Sequence, residues 1–381
     1  MKDNRIDLLA YRCTYWEGKL YCLTKDFNLL FSIDPQDGTI ELIDVIPEID
    51  VLSDRTGGAI NAWNGKLIIT PCRIKKIWIY DLATKHWDSI NVEECGHCGT
   101  GLFNQTYIYE DSIFLIGGNY PAILCVDLKS NSCHYIKAPY EEIISRHPDV
   151  NYNYFHPDGV RIKNTLYLAS CLDNFVLKFD LETQEHHWIE VGNKNNVYSA
   201  ITWDGENFWL SPRLNGGIVK WDGAEMIQLI SLPEKLKQTV PIYSWGACYD
   251  GSQVVFPHDT CPKSIILDIH NNTFQLHEQQ YPLYTRLYNG MVVSQTTDGD
   301  LSVRTEDSSN KIFHISVEAD QLRQFYEERN IQIYKDQTLY TEIPNNPMLS
   351  LDGFLAFTSS RSQNKPKSNG QVGKAIWDNI R

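Results

Sequence analysis

The chain has 381 residues, of which 42% are hydrophobic, and this is enough apolar material for a globular core. Its formal net charge of −14 repels phosphate backbones and anionic lipid headgroups, so neither nucleic acid nor a membrane surface is an expected partner. No apolar run suits a signal peptide or the roughly 20 residues of a membrane span, and the ten cysteines follow no compact even spacing. These features predict an acidic cytoplasmic protein with reduced thiols.

The predicted elements recur along the chain, and one copy of the repeat occupies residues 58–92. Its first two strand-like segments are joined by Asn64-Gly65, a favoured two-residue turn because Asn and Gly tolerate positive φ. Ala83-Thr84-Lys85 turns the chain between the last two segments. The copy therefore predicts four short antiparallel strands. They cover residues 58–63, 66–70, 77–82 and 86–92.

Two sequence markers recur together in the copies of the repeat, the second about 16 residues after the first. The first is an aromatic, a polar and a turn residue: Trp16-Glu17-Gly18, Trp63-Asn64-Gly65, Tyr109-Glu110-Asp111, Trp203-Asp204-Gly205, Tyr249-Asp250-Gly251 and Tyr288-Asn289-Gly290, with a weaker copy at Ile162-Lys163-Asn164. Its third positions are 47, 46, 53, 41, 46 and 39 residues apart in chain order. The second marker is an apolar residue before Asp: Ile33-Asp34, Tyr80-Asp81, Val126-Asp127, Phe179-Asp180, Trp221-Asp222 and Leu267-Asp268. Its seventh copy has decayed near residues 305–307.

A small four-stranded sheet cannot bury both of its faces alone, whereas radial stacking of several such sheets buries them and leaves only short edges. The repeat therefore predicts an all-β fold, a seven-bladed β-propeller. Six blades is the alternative if residues 284–317 form a cap. Either residues 5–10 or residues 354–358 are expected to supply a closing strand.

The copies resemble kelch-type blades. The resemblance rests on the four-strand period, on the Tyr80…Trp87 and Phe179…Trp188 spacing and on a Gly117-Gly118 pair after a second strand, and it spans about residues 8–317. Most copies lack the double glycine that marks kelch repeats. The resemblance implies a propeller and leaves an enzyme open, because some kelch-like proteins are sugar mutarotases, oxidases or lyases.

The pattern changes near the end of the repeat. Residues 317–330 carry Leu322, Phe325 and Tyr326 at helical spacing with acidic residues early, which predicts a helix. Polar residues 359–371 are typical of a flexible linker, and the last nine residues suit a short helix. A brace or a disordered tail is the favoured interpretation of this end, and a partner-binding tail is the alternative. The expected organisation is a propeller over residues 1–317, a C-terminal extension with one helix over residues 318–358, and a linker with a terminal segment over residues 359–381.

Cys95-Gly96-His97-Cys98 matches the active-site motif of protein disulfide isomerases, but its surroundings disfavour redox chemistry. A redox motif needs a following helix that lowers the pKa of the first thiol, whereas here Gly99-Thr100-Gly101 and a strand follow. Cysteines with a structural role in a turn are the favoured interpretation, and no cofactor is predicted. Zinc or another transition metal is the alternative, with Cys72, Cys95, His97 and Cys98 as candidate ligands.

The strands of a blade alternate in direction, so the loops between its second and third strands share a face with the loops between blades. Function on propellers gathers at such a loop face around the central channel. Aromatic residues interleaved with Arg, Asn, Asp and His suit a ligand with an apolar face and hydroxyl, amide or carboxylate edges. Packing between blades and turn formation are the alternative roles. The candidate ligand-binding residues are Arg55, Arg73, His97, Asn119, His156, Tyr198, Arg213, Tyr243, Trp245, His258, Asp259 and Arg286.

The sequence gives weaker support to catalysis. His156 and His258 each lie near an Asp in the sequence, which is the minimum for acid–base chemistry. No nucleophile elbow, phosphate loop or HExxH motif appears. The favoured function is a monomeric recognition module that binds a small ligand, a peptide, a carbohydrate or a partner protein at the loop face. The alternative is a propeller enzyme of the mutarotase or lyase kind that acts on a sugar or a peptide.

Overall fold

The chain is built mainly of β-strands in the part that the structure, a computed structural model, describes. The described residues are 5–24, 27–48, 57–72, 75–95, 101–150, 153–156, 159–213, 217–231, 247–249, 251–256, 264–277, 285–288, 291–295, 300–304 and 310–329. Helices α1 (Ala138–Arg146) and α2 (Ala319–Glu327) are each nine residues long. Neither described helix has the length and apolarity needed to cross a membrane.

Seven four-stranded antiparallel sheets follow one another along the described residues, each made of four consecutive strands. Sheet 1 contains β2 (Ala10–Trp16), β3 (Lys19–Thr24), β4 (Leu29–Ile33) and β5 (Ile40–Val45); sheet 2 contains β6 (Gly57–Trp63), β7 (Lys66–Pro71), β8 (Lys76–Asp81) and β9 (His86–Asn91). Sheet 3 contains β10 (Phe103–Tyr109), β11 (Ser112–Gly117), β12 (Ile123–Asp127) and β13 (Cys133–Ile136); sheet 4 contains β14 (Val160–Ile162), β15 (Thr165–Ala169), β16 (Phe175–Asp180) and β17 (His186–Glu190).

The remaining strands complete the series. Sheet 5 contains β18 (Tyr198–Trp203), β19 (Phe208–Pro212), β20 (Ile218–Trp221) and β21 (Met226–Ile230). Sheet 6 contains β22 (Cys248–Tyr249), β23 (Gln253–Phe256), β24 (Ser264–Asp268) and β25 (Thr273–His277); sheet 7 contains β26 (Thr285–Tyr288), β27 (Met291–Gln295), β28 (Leu301–Arg304) and β29 (Asn310–Phe313). Strands β1 (Arg5–Asp7) and β30 (Ser316–Glu318) pair separately. The predicted all-β architecture of four-stranded antiparallel sheets is confirmed.

The first sequence marker forms the turn between the first two strands of a sheet. In sheet 2, Asn64 and Gly65 have φ angles of 47° and 73°, as a type I′ turn requires at both central positions. The middle residue of the marker has positive φ even where it is a less favoured type, with 44° at Glu17 and 56° at Lys163. The marker is therefore a conformational signal for a tight hairpin.

The second marker ends the third strand and caps the turn that follows it. In sheet 4, Oδ1 of Asp180 accepts hydrogen bonds from the backbone amides of Glu182 at 2.9 Å and Thr183 at 2.8 Å. These backbone hydrogen bonds favour the charged form and lower the pKa of the Asp180 carboxyl. Equivalent pairs of bonds occur at Asp81, Asp127, Asp222 and Asp268.

A backbone hydrogen bond joins the two markers directly in three sheets. The amide of the residue after the marker Asp donates to the carbonyl of the third turn residue. This bond runs from Leu82 to Gly65 at 2.9 Å, from Leu128 to Asp111 at 2.8 Å and from Leu181 to Asn164 at 2.7 Å. In these three sheets the third turn residue and the marker Asp are 16 residues apart, so the bond closes a strand–loop–strand segment of the same length in each.

Asp180→Ala is expected to lower the free energy of unfolding by about 1 kcal/mol, because two backbone amides lose their acceptor. Asp180→Asn keeps an acceptor oxygen at the same position and should cost clearly less. Urea unfolding of both variants beside the unsubstituted protein measures the difference. Equal losses in the two variants would show that the turn does not depend on the side-chain oxygen.

The hydrophobic core is divided among the interfaces between neighbouring sheets. Leu23 and Leu30 of sheet 1 belong to one buried cluster with Leu67 and Trp78 of sheet 2. Further clusters join sheets 2 and 3, sheets 3 and 4, sheets 4 and 5, and sheets 5 and 6. First strands of consecutive sheets are also in contact, as β2 is with β6 and β18 is with β22. Sheets 2 to 5 therefore each bury apolar side chains against both of their neighbours.

Helix α1 lies between β13 and β14, where the sequence predicted only a loop. Pro139 near its start and Arg146 in its last turn suit a helix of this polarity. Tyr140 and Ile143 are buried in the cluster that joins sheets 3 and 4, and the Tyr140 hydroxyl donates to the carbonyl of Gly117 at 2.8 Å. The helix accounts for the longest interval between first markers, which is 53 residues.

Sheets 1 and 7 are in contact although they are the first and last of the series. Nζ of Lys311 donates to the carbonyl of Gln36 at 2.8 Å. The ring of Phe313 lies against Gly38, where a Cβ would stand 2.6 Å from a ring carbon. Gly38 has φ of 78°, so its backbone conformation and this contact both require glycine.

The two ends of the described chain meet in a separate two-stranded sheet. Residues 5–7 and 316–329 belong to one compact unit, and the described part of residues 8–315 forms another. Within the first unit β1 pairs antiparallel with β30, and Arg5 donates to the hydroxyl and carbonyl of Ser316 at 2.9 and 2.8 Å. The expected closing strand at residues 5–10 is therefore wrong, because residues 5–7 join β30 and Ala10 begins sheet 1. Residues 354–358 lie outside the described residues.

Candidate functional site

On the predicted loop face, hydrogen bonds connect described loops of sheets 3, 4 and 5. The amide of Tyr154 donates to the carbonyl of Gly118 at 2.9 Å, and the amide of Cys171 donates to the carbonyl of Tyr154 at 3.0 Å. Nη1 of Arg213 donates to the carbonyl of Cys171 at 2.5 Å. These bonds place loops from three sheets at one junction, which we call the junction site: Asn119, His156, Cys171, Asp173 and Arg213.

His156 and Arg213 are electrostatic neighbours in the junction site. His156 is only 9% exposed, and its burial, with a smaller contribution from the positive charge of Arg213, lowers the pKa of the imidazole to about 3. The ring is therefore neutral near pH 7. Arg213 is partly exposed and makes no ion pair with any described residue. The site thus presents one guanidinium beside a neutral, polar ring.

The backbone of His156 is held in place from sheet 3. The side-chain amide of Gln105 donates to the carbonyl of His156, and the Tyr107 hydroxyl donates to Oε1 of Gln105 at 2.8 Å. A Cβ at Gly159 would stand 2.7 Å from the Tyr107 oxygen, so this position has no room for a side chain. Burial also raises the pKa of the adjacent Cys171 thiol to about 12, so this sulfur stays protonated near pH 7.

Arg146, His147 and Asp173 form a second charged group beside these loops. Oδ2 of Asp173 accepts from Nε of Arg146 at 2.9 Å and lies 3.0 Å from Nε2 of His147. The Asp173 side chain is only 10% exposed, and the Arg146 guanidinium lies 4.6 Å from the ring centroids of Phe175 and Trp188. Burial raises the pKa of Asp173, but hydrogen bonds to the carboxylate outweigh it and the net pKa is lowered. This group ties α1 to sheet 4.

The structure describes the side chains of four of the twelve predicted ligand-binding residues. His156 and Arg213 come together, while Asn119 lies in the adjoining loop and accepts from the amide of Asn153 at 2.8 Å. Tyr198 is fully buried and its hydroxyl donates to the carbonyl of Val191 at 2.7 Å, which places it in the core. Arg286 lies in β26 opposite Val293. Arg55, Arg73, His97, Tyr243, Trp245, His258 and Asp259 lie outside the described residues.

The candidate metal ligands are only partly described, since His97 and Cys98 lie outside the described residues. Cys95 is disulfide-bonded, so its sulfur is not a thiolate ligand and the predicted reduced state is wrong for this residue. Cys72 is 5% exposed, and its carbonyl accepts from the amide of Gly101 at 2.7 Å. Across the described part of the chain, no three His, Cys, Asp or Glu side chains cluster closely enough to hold a metal ion.

Sequence reasoning missed the pairing of Arg146 and His147 with Asp173. The reason is that the segment of α1 was interpreted as a loop, and a loop gave no reason to expect residues 146–147 close to the turn after β15. The 53-residue interval between markers was the available signal, because it exceeds the neighbouring intervals of 46 and 41 residues by enough to hold a short helix.

No protein-family model matches this sequence, and no curated protein sequence does. Several solved structures are similar in fold. Virginiamycin B lyase from Staphylococcus aureus is 12% identical, with a TM-score of 0.57 over 77% of this chain and 94% of the lyase chain. BamB from Moraxella catarrhalis is 12% identical, with a TM-score of 0.51 over 78% of this chain and 85% of BamB.

PorZ is a third similar structure and is described as a surface component of the type-IX secretion system of Porphyromonas gingivalis. It is 11% identical, with a TM-score of 0.54 over 83% of this chain and 40% of the PorZ chain. These proteins include a lyase and a component of cell-surface machinery, and one fold hosts many functions. The similarity therefore shows that the chain has a β-propeller fold.

Proposed function

We propose that the chain is a recognition module that uses the junction site to bind an anionic group, a carboxylate above all, on a peptide, a carbohydrate or a partner protein. The single observation that carries the proposal is Arg213, a partly exposed guanidinium without an ion pair among the described residues, in a chain of net charge −14. A guanidinium carries five N–H donors in a planar fork, of which Arg213 uses one on the carbonyl of Cys171. Its remaining donors suit the two oxygens of a carboxylate.

A comparison of Arg213 with Arg146 supports the assignment of Arg213 as the residue that binds the anionic group. Both arginines lie near the same loops, but Arg146 already has Asp173 as its carboxylate partner and two aromatic rings on its guanidinium. Its charge is satisfied inside the protein, so it serves the fold. Among the described residues Arg213 has only a neutral carbonyl as acceptor, so an incoming carboxylate gains a charge-assisted hydrogen bond there.

His156 supports binding over acid–base catalysis. A group with a pKa of about 3 is almost wholly deprotonated near pH 7, so it is a poor general acid, and it is also a weak base. A neutral imidazole still offers one donor and one acceptor for hydrogen bonds. We therefore assign His156 a positioning role beside Arg213.

We also propose that the propeller has seven kelch-like blades and that the protein is a cytoplasmic monomer. Seven four-stranded sheets and the contact between sheets 1 and 7 support a closed ring of seven. Of the eight described cysteines, seven are free thiols, which supports a reducing compartment. The eighth, Cys95, is disulfide-bonded. Sedimentation and cell fractionation test the monomer and the location.

The test uses pairs of probes that differ only in charge. N-acetylated tripeptides with a free or an amidated C-terminus, and glucuronate beside glucose, are titrated against the protein by calorimetry and thermal shift. Binding by the anionic member of a pair and not by its neutral counterpart is expected. Arg213→Ala is expected to weaken this binding by about tenfold or more, because a hydrogen bond to a charged group is lost.

Arg161→Ala is the matched control, because it removes the same charge from an exposed site in β14, next to the turn at the opposite end of sheet 4. It is expected to leave binding unchanged. Equal binding of charged and neutral probes, equal losses in the two variants, or no binding by any probe would contradict the proposal.

A further inference from the structure

Two cysteines face each other across the first hairpin of sheet 1. Cys13 in β2 is the register partner of Cys22 in β3. The strands are joined by the two-residue turn Glu17-Gly18, so Trp16 and its partner form the hydrogen-bonded pair next to the turn. Hydrogen-bonded and non-hydrogen-bonded pairs alternate along antiparallel strands, which makes Cys13 and Cys22 a non-hydrogen-bonded pair.

This pairing is the one that suits a cross-strand disulfide. Cα atoms of a non-hydrogen-bonded pair are about 4.5 Å apart, within the roughly 4.4–6.8 Å that disulfides span. As register partners, the two side chains project from the same face of sheet 1 beside each other. Their sulfurs therefore need rotation about side-chain bonds and no strand movement to meet.

The two cysteines lie on the face of sheet 1 that is turned away from sheet 2, and they differ in exposure. Tyr21 and Leu23 belong to the cluster that joins sheet 1 to sheet 2, so Cys22, which alternates with them, points to the other face of sheet 1. Cys22 is fully buried, whereas Cys13 is partly exposed. An oxidant from solvent therefore reaches the sulfur of Cys13 first.

We propose that Cys13 and Cys22 form a dithiol modification site that a peroxide converts to a disulfide between β2 and β3. Hydrogen peroxide transfers one oxygen to Sγ of Cys13, which gives a sulfenic acid and releases one water. Sγ of Cys22 then attacks the sulfenic sulfur, forms the S–S bond and displaces hydroxide, which takes the Cys22 proton and leaves as a second water. Two thiols are oxidised by two electrons, and one peroxide is reduced to two waters.

The rate of this modification should depend on pH. Burial, together with the hydrogen bond to Cys13, raises the pKa of the Cys22 thiol well above its ordinary value. Because the thiolate is the nucleophile, the second step is slow near neutral pH and accelerates as the pH rises. Disulfide formation is therefore expected to be up to about a hundredfold faster at pH 9 than at pH 7, because the thiolate fraction of a thiol with so high a pKa rises about tenfold per pH unit.

The experiment treats the native full-length protein with hydrogen peroxide, alkylates remaining thiols in denaturant, and digests with trypsin without reductant. Arg12, Lys19 and Lys25 are cleavage sites, so Cys13 falls in peptide 13–19 and Cys22 in peptide 20–25. The expected product is these two peptides joined by a disulfide. Their recovery as separate, alkylated peptides after peroxide treatment at pH 9 overturns the proposal.

Internal and variant controls make the result specific. Cys125 and Cys133 also lie on neighbouring strands, but Cys125 pairs with His134 and Val126 pairs with Cys133, so the two thiols project from opposite faces. Peptide 130–137 is therefore expected to stay alkylated. In Cys22→Ser, dimedone is expected to trap the Cys13 sulfenic acid. Failure to trap it, or equal linkage of Cys133 in the unsubstituted protein, contradicts the mechanism.

Discussion

Lowering the pH from about 6.5 to about 4 is expected to reduce the free energy of unfolding of the unsubstituted protein by about 3 kcal/mol more than that of His156→Gln. The folded-state pKa of His156 is lowered from 6.5 to about 3. Between these values the unfolded chain binds a proton that the folded protein does not bind. The stability contributed by the neutral ring is therefore complete above pH 6.5 and is lost as the pH falls towards 3.

Guanidinium unfolding of both proteins at a series of pH values measures this difference, since the amide side chain that replaces the imidazole does not titrate in either state. His134→Gln is the control, because it exchanges an exposed imidazole in β13 for the same amide. Parallel stability curves for the unsubstituted protein and His156→Gln would show that the imidazole is not desolvated. The binding assignment of His156 would then lose its physical basis.

Arg146→Ala is expected to destabilise the protein by about 3 kcal/mol, because it leaves the charge of Asp173 nearly buried without its guanidinium partner. Of the contacts that helix α1 and its C-terminal cap make with the Asp173 carboxylate, only the one from His147 at 3.0 Å would remain. Urea unfolding followed by circular dichroism and by tryptophan fluorescence gives the measurement. Fluorescence is informative because Trp188 lies against the Arg146 guanidinium.

A double substitution separates the ion pair from the packing of the arginine stem. Arg146→Ala with Asp173→Asn removes both charges, so it should lose much less stability than the sum of the single substitutions. Arg323→Ala, which breaks the exposed pair with Asp320 in α2, is the matched control and should change stability by about 0.5 kcal/mol or less. An additive double variant, or a loss at Arg323 equal to that at Arg146, contradicts this account.

The sheets could be predicted from the sequence because their signals are local. The turn at Asn64-Gly65 and the cap at Asp180 depend on residues within a few positions of one another, and both markers recur in register with the strands. Helix α1 was missed because it interrupts this period with a short segment whose stability comes from burial of Tyr140 and Ile143 between two sheets. Such tertiary burial leaves no periodic signal over nine residues.

The candidate site was predicted only in outline. Strand alternation was enough to place His156 and Arg213 on one loop face. Their protonation and pairing depend on burial and on partners far along the chain, such as Gln105 and Cys171, which spacing does not reveal. The same limit explains Tyr198, which has the chemistry of a ligand contact but points into the core.

Most strand pairings in this fold join segments that are made within seconds of each other on a ribosome, and this orders its assembly. Each sheet consists of four successive strands, so an early sheet can form before the later ones are synthesised. The bond from Lys311 to Gln36 is different, because its partners are separated by 275 residues. Sheet 1 must therefore keep the surface that receives sheet 7 uncovered through most of translation, and that interval is when the nascent chain is most exposed to misassociation.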